Sequence, residues 1–290
     1  MTTTLDPMTA RRTWMTLEPI HGMVYFTPHG AAIYDAVGLT GRGQYFASRA
    51  AAMGAVAPEV VTATFYNFAP TLVRSCIPEA WDQASPADIL AARLRVVDAS
   101  LHEVASAHIA SAATVTAAEL VRRAAHTAMD RTEGKPLFAA HASLPWPTDP
   151  HLVVWHGQTL LREYRGDIHV ALLVSEGLSG LEALITHAAT GAVPAEMLRT
   201  LRGWSDDEWN GALDSLRARG IIAADQLAFT PNGESLRQRL EDRTDALSAD
   251  AWAVLGEDGC KTLRLSARPM SAAVIDAGWS PLRKLPPAED

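Results

Sequence analysis

The stretch SGLEALITHAATGAVPAEMLRTLRGWSDDEWNGALDSLRARGIIAADQLAFTPNGESLRQRL, residues 179–240, decides the fold because helix start and stop signals recur along it. Ser179 predicts the cap of a helix that ends near Gly191. Ser205 and Glu208 stand three residues apart, which is the capping-box pattern of a second long helix. A short helix that begins with proline is predicted between these two. The stretch therefore predicts three closely spaced helices.

The following residues predict a small hairpin and a further helix. The helix capped by Ser205 ends at Gly220. Ile221-Ile222 and Leu227–Phe229 flank a polar turn and predict two short strands. Thr230-Pro231 then opens a long helix. This order of elements is typical of a winged helix-turn-helix, so the sequence predicts a mainly α fold with a small β-hairpin wing.

Two phrases in this part of the chain resemble MarR-type regulators. They are LRARGII, residues 216–222, and LAFTPNGESL, residues 227–236. The resemblance covers about residues 168–250, and it implies a winged-helix domain.

The whole chain resembles an actinobacterial helix-turn-helix family of similar length. The stretches that carry this resemblance are LEPIHGMVYF, VVTATFYNFAPTLV, LLREYRGDIHVALLVSEGLSGLEALITHAATG and LRGWSDDEW. The resemblance implies a fold and leaves the activity open.

A weak internal sequence repeat suggests how the N-terminal half is built. Residues 51–60 parallel residues 188–197, and at both places a helix ends at glycine before another begins near proline. Two interpretations stay open. Either the N-terminal half is a degenerate second winged helix, which makes the chain a tandem, pseudo-dimeric unit, or it is an unrelated helical domain.

Composition excludes several classes of protein. The 290 residues are 48% hydrophobic and 20% charged, so the chain can fill a core. A net charge of −8 argues against a general polyanion binder. Two cysteines are too few for a disulfide framework. No signal peptide or membrane span is readable, and we expect a cytoplasmic protein without a membrane partner.

Proline-rich sequence divides the chain into two halves. Residues 134–150 contain four prolines and predict an irregular connection, and Gly166-Asp167 predicts a turn and a helix cap. The domains expected are residues 8–133, helical, and residues 166–280, winged helix. Residues 134–165 are the connection, and residues 281–290 are a tail.

The predicted recognition helix is poorly suited to DNA. Its first turn carries Asp206, Asp207 and Glu208, which the phosphates of a duplex would repel. Arg217 and Arg219 are its cations, and both stand at its far end. We therefore do not expect duplex DNA to be a partner.

The candidate site consists of polar and aromatic residues inside otherwise apolar segments. Buried polar groups require partners, and a ligand pocket between two helical halves would use such groups. Asp167 is expected to cap the helix that holds His169, and Arg165 to pair with Asp167 or an anionic ligand. The candidates are His21, Tyr25, Tyr66, Asn67, Trp155, His156, Arg165, Asp167, His169, Glu182 and His187.

Three functions are compatible with these features. The first is a winged-helix protein that binds a small, largely apolar molecule between its halves. The second is a MarR-like transcriptional regulator, and the third is an enzyme that uses histidine and aspartate as acid and base in the same pocket. No cofactor or metal is predicted, because no spacing requires a metal site formed by His21, His156, Asp167 and His169. The chain is expected to be a monomer or a homodimer.

Overall fold

The computed structural model describes residues 5–288 and shows a mainly helical protein. The last two residues of the predicted tail lie outside this range. Short 3₁₀ turns cover Met23–Tyr25, Ala51–Met53 and Ala253–Leu255. The helices are α1 (Pro7–Gly22), α2 (His29–Asp35), α3 (Gly43–Ala50), α4 (Pro58–Phe65), α5 (Pro70–Arg74), α6 (Glu79–Gln83), α7 (Pro86–Ala105), α8 (Ala112–Met129), α9 (Pro136–Ala142), α10 (Pro150–Ser175), α11 (Gly180–Ala188), α12 (Ala195–Arg202), α13 (Asp206–Ala218), α14 (Pro231–Ala249) and α15 (Gly256–Asp276).

Helix α10 is the centre of the fold. It packs against α1, α7, α8, α9 and α14, and most of its residues from His151 to Leu173 are buried. Gly157 permits the close approach of α8, because a Cβ atom there would lie 2.9 Å from a methyl carbon of Val121. Buried side chains from both ends of the chain join one hydrophobic cluster around this helix.

The turn predicted at Gly166-Asp167 is wrong, because α10 runs without a break from Pro150 to Ser175. The proline-rich stretch before it is also less irregular than predicted, since it contains α9. Glycine followed by aspartate has the local preference of a turn, but the packing of α10 against five other helices overrides that preference. The predicted boundary between residues 165 and 166 falls inside this helix. The division into domains stays a prediction.

The three helices predicted after Ser179 are present as α11, α12 and α13. Ser205 forms the predicted capping box with Glu208, and Ser179, predicted as a cap, forms a capping box with Glu182 as well. The two predicted strands of the wing are absent from the described residues. One isolated antiparallel bridge joins Ile222 to Phe229, because the polar turn leaves too few residues for a longer ladder.

The turn between α12 and α13 packs against the segment of residues 66–72 from the N-terminal half. The Ala69 amide donates to the Arg202 carbonyl over 2.9 Å, and the Trp204 indole donates to the Asn67 carbonyl over 3.0 Å. A Cβ atom at Gly203 would lie 2.8 Å from Leu72 Cβ. This turn therefore joins α11, α12 and α13, which the sequence predicts to form the helix-turn-helix and which we call the helix-turn-helix elements, to the N-terminal half.

The two segments of the internal repeat, residues 51–60 and 188–197, also share a backbone feature. Gly54 and Gly191 both have positive φ, +82° and +73°, and the next helices begin at Pro58 and Ala195. This likeness covers a few residues, so a tandem winged helix stays a prediction.

Within residues 5–288, no single helix is both long and apolar enough to cross a membrane. Helices α10 and α11 meet that requirement only as a pair, and the chain bends by 103° between them.

Gly180→Ala should lower stability, because the added Cβ atom would lie 1.8 Å from the Tyr66 carbonyl oxygen. We expect a loss of about 1–3 kcal/mol in the free energy of unfolding, measured by urea titration. Gly211→Ala is the matched control, since no heavy atom lies within 4 Å of its Cβ position. It should add roughly 0.5–1 kcal/mol. Equal changes in the two variants would contradict this packing.

Candidate functional site

A cavity of about 440 Å³ lies beside α10, between the N-terminal half and the helix-turn-helix elements. We call it cavity 1. Helices α1, α3, α4, α9, α12 and α14 and the segment after α4 complete its walls. Its lining residues are Arg11, Trp14, Tyr45, Arg49, Thr64, Phe65, Asn67, Phe68, Leu137, Arg162, Glu163, Arg165, Gly166, Asp167, His169, Val170, Arg202, Arg237 and Glu241.

The buried side of cavity 1 is organised around the carboxylate of Glu163. Arg162 Nη1 lies 2.9 Å from Glu163 Oε1, and Arg49 Nη2 lies 3.6 Å from Oε2. Burial raises the pKa of Glu163, but Arg162 and Arg49 outweigh burial and hold it far below its usual range. Glu163 therefore faces two guanidinium groups, of which Arg162 also lies 3.7 Å from Glu18 Oε1.

Arg49 and Arg202 are the least neutralised cations of cavity 1. The Nε atoms of both are buried and have no hydrogen-bond partner among the described residues. Arg49 is 9% exposed, and within residues 5–288 no carboxylate oxygen lies within 4.0 Å of the Arg202 guanidinium. Burial lowers the pKa of Arg202. This wall therefore has N–H groups that can still donate hydrogen bonds.

Aromatic rings accompany these two arginines. The guanidinium carbon of Arg49 lies 4.1 Å from the centroid of the Phe65 ring, and that of Arg202 lies 4.4 Å from the centroid of Phe68. Burial raises the pKa of Tyr45, but Arg49 and Arg202 outweigh burial and lower it. The wall therefore combines positive potential with an apolar surface.

The opposite wall is closer to neutral. Arg165 Nη1 lies 2.6 Å from Asp245 Oδ1, and Arg11 Nη1 lies 3.0 Å from Asp245 Oδ2. Arg237 pairs with Glu241 over 2.5 Å. Of the two partners expected for Arg165, Asp167 is wrong, because the guanidinium pairs with Asp245 on α14 instead, and an anionic ligand stays a prediction.

Asp167 caps a helix other than the one predicted. Its Oδ2 atom accepts from the Phe138 amide over 2.9 Å, at the start of α9. Burial raises its pKa to about 6, although the Phe138 amide opposes this shift. His169 Nδ1 lies 2.9 Å from Thr244 Oγ1, and burial lowers its pKa to about 4.

The predicted site residues fall into several places. Asn67, Arg165, Asp167 and His169 line cavity 1. Trp155 and His156 line a second cavity of about 330 Å³, which we call cavity 2 and which lies between α7, the residues after α9, and α10.

His21 and Tyr25 lie between the two cavities and line neither. His21 Nδ1 is 2.9 Å from Thr159 Oγ1, and burial followed by Arg162 lowers its pKa well below its usual value. The Tyr25 hydroxyl accepts from Arg93 Nη2 over 2.8 Å, and its ring lies 5.4 Å from that of Tyr45.

The remaining predicted residues support the helix-turn-helix elements. The Tyr66 hydroxyl donates to the Leu178 carbonyl, and this contact accompanies a φ of +61° at Tyr66, which is uncommon for a residue with a Cβ atom. Glu182 belongs to the α11 capping box and accepts from Ser215 over 2.8 Å. His187 is half-buried on α11 and lines neither cavity.

Sequence reasoning missed Tyr45, Arg49, Phe68 and Arg202. Arginine is frequent throughout this chain, so an arginine in a helix gave no local signal. The short helices that hold Arg49 and Arg202 are about 150 residues apart in sequence, and only the tertiary structure brings them together.

One cluster could hold a metal ion by its donor types. Asp98 Oδ1 lies 2.8 Å from His151 Nε2 and 3.2 Å from His102 Nδ1, and the three ligand atoms lie within 4.8 Å of one another. Hydrogen bonding and ion pairing alone account for this arrangement. The four residues weighed from the sequence as metal ligands are divided between the two cavities and the region between them.

Helix α13 uses its cations within the protein. Arg217 pairs with Asp214 over 3.2 Å. Arg219 donates to the carbonyls of Gly177 and Glu176 over 3.1 Å each, at the end of α10. The exposed first turn of α13 is acidic, so its surface offers phosphates little attraction.

Comparison with known families shows which family the chain belongs to. A model described as a helix-turn-helix family matches residues 10–281, so the chain belongs to a helix-turn-helix family. No curated protein and no solved structure matches the chain.

Asp167→Asn should stabilise the protein progressively as the pH rises. A carboxyl whose pKa is raised by folding stabilises the folded state at low pH and loses that contribution between its unfolded value, 3.8, and its folded value, about 6. The difference in unfolding free energy between variant and wild type should grow by about 2 kcal/mol from about pH 4 to pH 7.

Urea titrations at several pH values measure this difference. Asp225→Asn, in an exposed turn, is the matched control. A difference for Asp167→Asn that stays constant with pH would show that the carboxyl is not destabilised by burial.

Proposed function

We propose that this member of a helix-turn-helix family binds a small anionic molecule with an aromatic or apolar part in cavity 1. The observation that carries the proposal is the pair Arg49 and Arg202, whose buried Nε atoms lack partners beside aromatic rings. The charge of this wall favours an anion over the largely apolar molecule expected from the sequence.

An anion would satisfy what the protein leaves unsatisfied. A buried charge without a partner costs several kcal/mol, and a buried donor left unpaired adds to that. A carboxylate or phosphate oxygen would accept from both Nε atoms with charge-assisted hydrogen bonds. The planar guanidinium fork of arginine matches such oxyanions better than a lysine ammonium does.

The rest of the cavity would hold the body of the ligand. Tyr45, Phe65 and Phe68 form an apolar wall beside the cations, and Trp14 lies across the cavity with Arg165 over its ring. The volume of 440 Å³ is within the range of small-molecule sites, about 300–1,000 Å³.

The helix-turn-helix elements contribute to the wall of cavity 1. Arg202 is the last residue of α12, and the turn after it packs on residues 66–72. We also propose that the chain is similar to MarR-type winged-helix regulators and to an actinobacterial helix-turn-helix family. The bridge between Ile222 and Phe229 is the feature that supports a rudimentary wing.

Family membership favours a second candidate, a MarR-like regulator that binds duplex DNA. The acidic first turn of α13 and the internal pairing of Arg217 and Arg219 argue against it. An enzyme that uses Asp167 and His169 as acid and base is a further candidate, because both residues line cavity 1 and their pKa values are shifted by burial.

Arg202→Gln should weaken binding of an aromatic anion. Phenyl phosphate is the probe, and isothermal titration calorimetry gives its Kd. Loss of one charge-assisted hydrogen bond should raise the Kd about tenfold or more. Benzyl alcohol, which has the ring without the charge, should bind far more weakly than phenyl phosphate.

Arg199→Gln is the matched control on the same helix, because Arg199 pairs with Asp206 and does not line the cavity. Its Kd should equal that of the wild type. Failure of the wild type to bind phenyl phosphate, or equal Kd values for the two variants, would contradict the proposal.

Duplex DNA should show no salt-sensitive binding. Fluorescence anisotropy with a labelled mixed-sequence duplex at about 50 mM salt tests this, since electrostatic binding is strongest at low salt. Binding that weakens with salt and is lost in Arg217→Ala would favour the regulator. Arg217 is the informative position, because Arg219 also holds the end of α10.

A further inference from the structure

Cavity 2 contains a buried cation that the protein does not neutralise. Arg93 on α7 is 1% exposed and lines this cavity. Its Nη1 donates to the Ser48 carbonyl and its Nη2 to the Tyr25 hydroxyl, over 2.8 Å each. Both partners are uncharged, and among residues 5–288 no carboxylate oxygen comes within 4.0 Å of this guanidinium.

Two donors without partners belong to residues that line the same cavity. Arg93 Nε and Trp155 Nε1 are both buried and have no hydrogen-bond partner among the described residues. The guanidinium carbon of Arg93 lies 5.5 Å from the centroid of the Trp155 ring. These groups are donors in any protonation state, so the atom that satisfies them must be an acceptor.

The two histidines of cavity 2 add no charge. Burial lowers the pKa of His141 to about 3 and that of His156 to about 4, so both are neutral at pH 7. The Nε2 atom of each is also buried and without a partner in the described chain. Arg93 is therefore the single charged group among the residues that line the cavity.

The remaining lining of cavity 2 is apolar. Leu90, Leu94 and Leu144 contribute aliphatic carbon, and Pro145 and Pro147 close the side formed by the residues after α9. A ligand with several charges would be left with unpaired groups against this surface. The volume, about 330 Å³, is at the lower end for small-molecule sites.

We propose that cavity 2 is a second ligand site, for a hydrophobic molecule that carries one carboxylate. One carboxylate oxygen accepts from Arg93 Nε and Trp155 Nε1, and the aliphatic part lies along the leucines and prolines. This site differs in chemistry from cavity 1, where several arginines and carboxylates alternate. It does not depend on the function proposed for cavity 1.

Octanoate is the probe that tests this site, with 1-octanol as its uncharged counterpart. Calorimetry on the full chain at pH 7.5 should show octanoate binding about tenfold or more tighter than 1-octanol. Arg93→Met should weaken octanoate binding by about tenfold or more and leave 1-octanol binding unchanged. Arg95→Met, on the exposed side of the same helix, should bind octanoate as the wild type does.

A second variant keeps the test decisive if Arg93→Met does not fold. Ala91 is exposed on α7 and lines cavity 2, so Ala91→Trp should block the cavity while Arg93 remains. Octanoate binding should then be lost. Arg202→Gln, in cavity 1, should leave octanoate binding unchanged.

Several results would overturn the proposal. They are a wild type that does not bind octanoate, equal affinities for octanoate and 1-octanol, or unchanged octanoate binding in Ala91→Trp. Loss of octanoate binding in Arg202→Gln would place octanoate in cavity 1 and would overturn it as well. Phenyl phosphate binding that fails while octanoate binding persists would reject the proposal for cavity 1 alone.

Discussion

The rest of the site depends on the ion pairs of Glu163, a buried and ionised residue of α10. Its carboxylate lies between Arg162 and Arg49, 2.9 and 3.6 Å from their nearest nitrogens, and these cations keep its pKa low despite burial. Without this carboxylate, Arg49 would be a buried cation with no carboxylate partner. With it, Glu163 and Glu18 face Arg162 and Arg49, since Glu18 Oε1 lies 3.7 Å from Arg162 Nε, and the nearby Arg202 has no carboxylate within 4.0 Å in the described chain. The interior of the protein therefore carries positive charge that its own acids leave partly free, which is the physical basis for binding an anion.

The arginines at the ends of α12 and α13, Arg202 and Arg219, contact other parts of the protein. In a DNA-binding helix-turn-helix, the second helix brings cations and amides to the major groove. Here Arg202 ends the helix before the turn and lines cavity 1, and Arg219 holds the end of α10. The surface that faces outward at the start of α13 is acidic. Helices α11–α13 thus pack against the N-terminal half and contribute Arg202 to the wall of cavity 1.

The sequence predicted the local elements better than the site, for physical reasons. Caps at Ser179 and Ser205 act over three residues, so their signals can be recognised in the chain itself. Helix α10 was missed in part because Gly166-Asp167 has the local preference of a turn, which the packing of this helix against five others overrides. Asn67 and Arg165 were selected as polar residues in apolar segments, and they do line cavity 1. Arg49 and Arg202 could not be selected, because their role depends on a contact between distant helices.

The most direct test of anion binding by Arg49 and Arg202 is the ¹⁵N–¹H spectrum of the arginine Nε–H groups, recorded as phenyl phosphate is added. The Arg49 and Arg202 signals are assigned by their loss in the Arg→Gln variants. We predict that these two signals shift and saturate together at one Kd, since their Nε atoms have no partner in the described protein. Unchanged Arg49 and Arg202 signals, with shifts confined to exposed arginines, would contradict it.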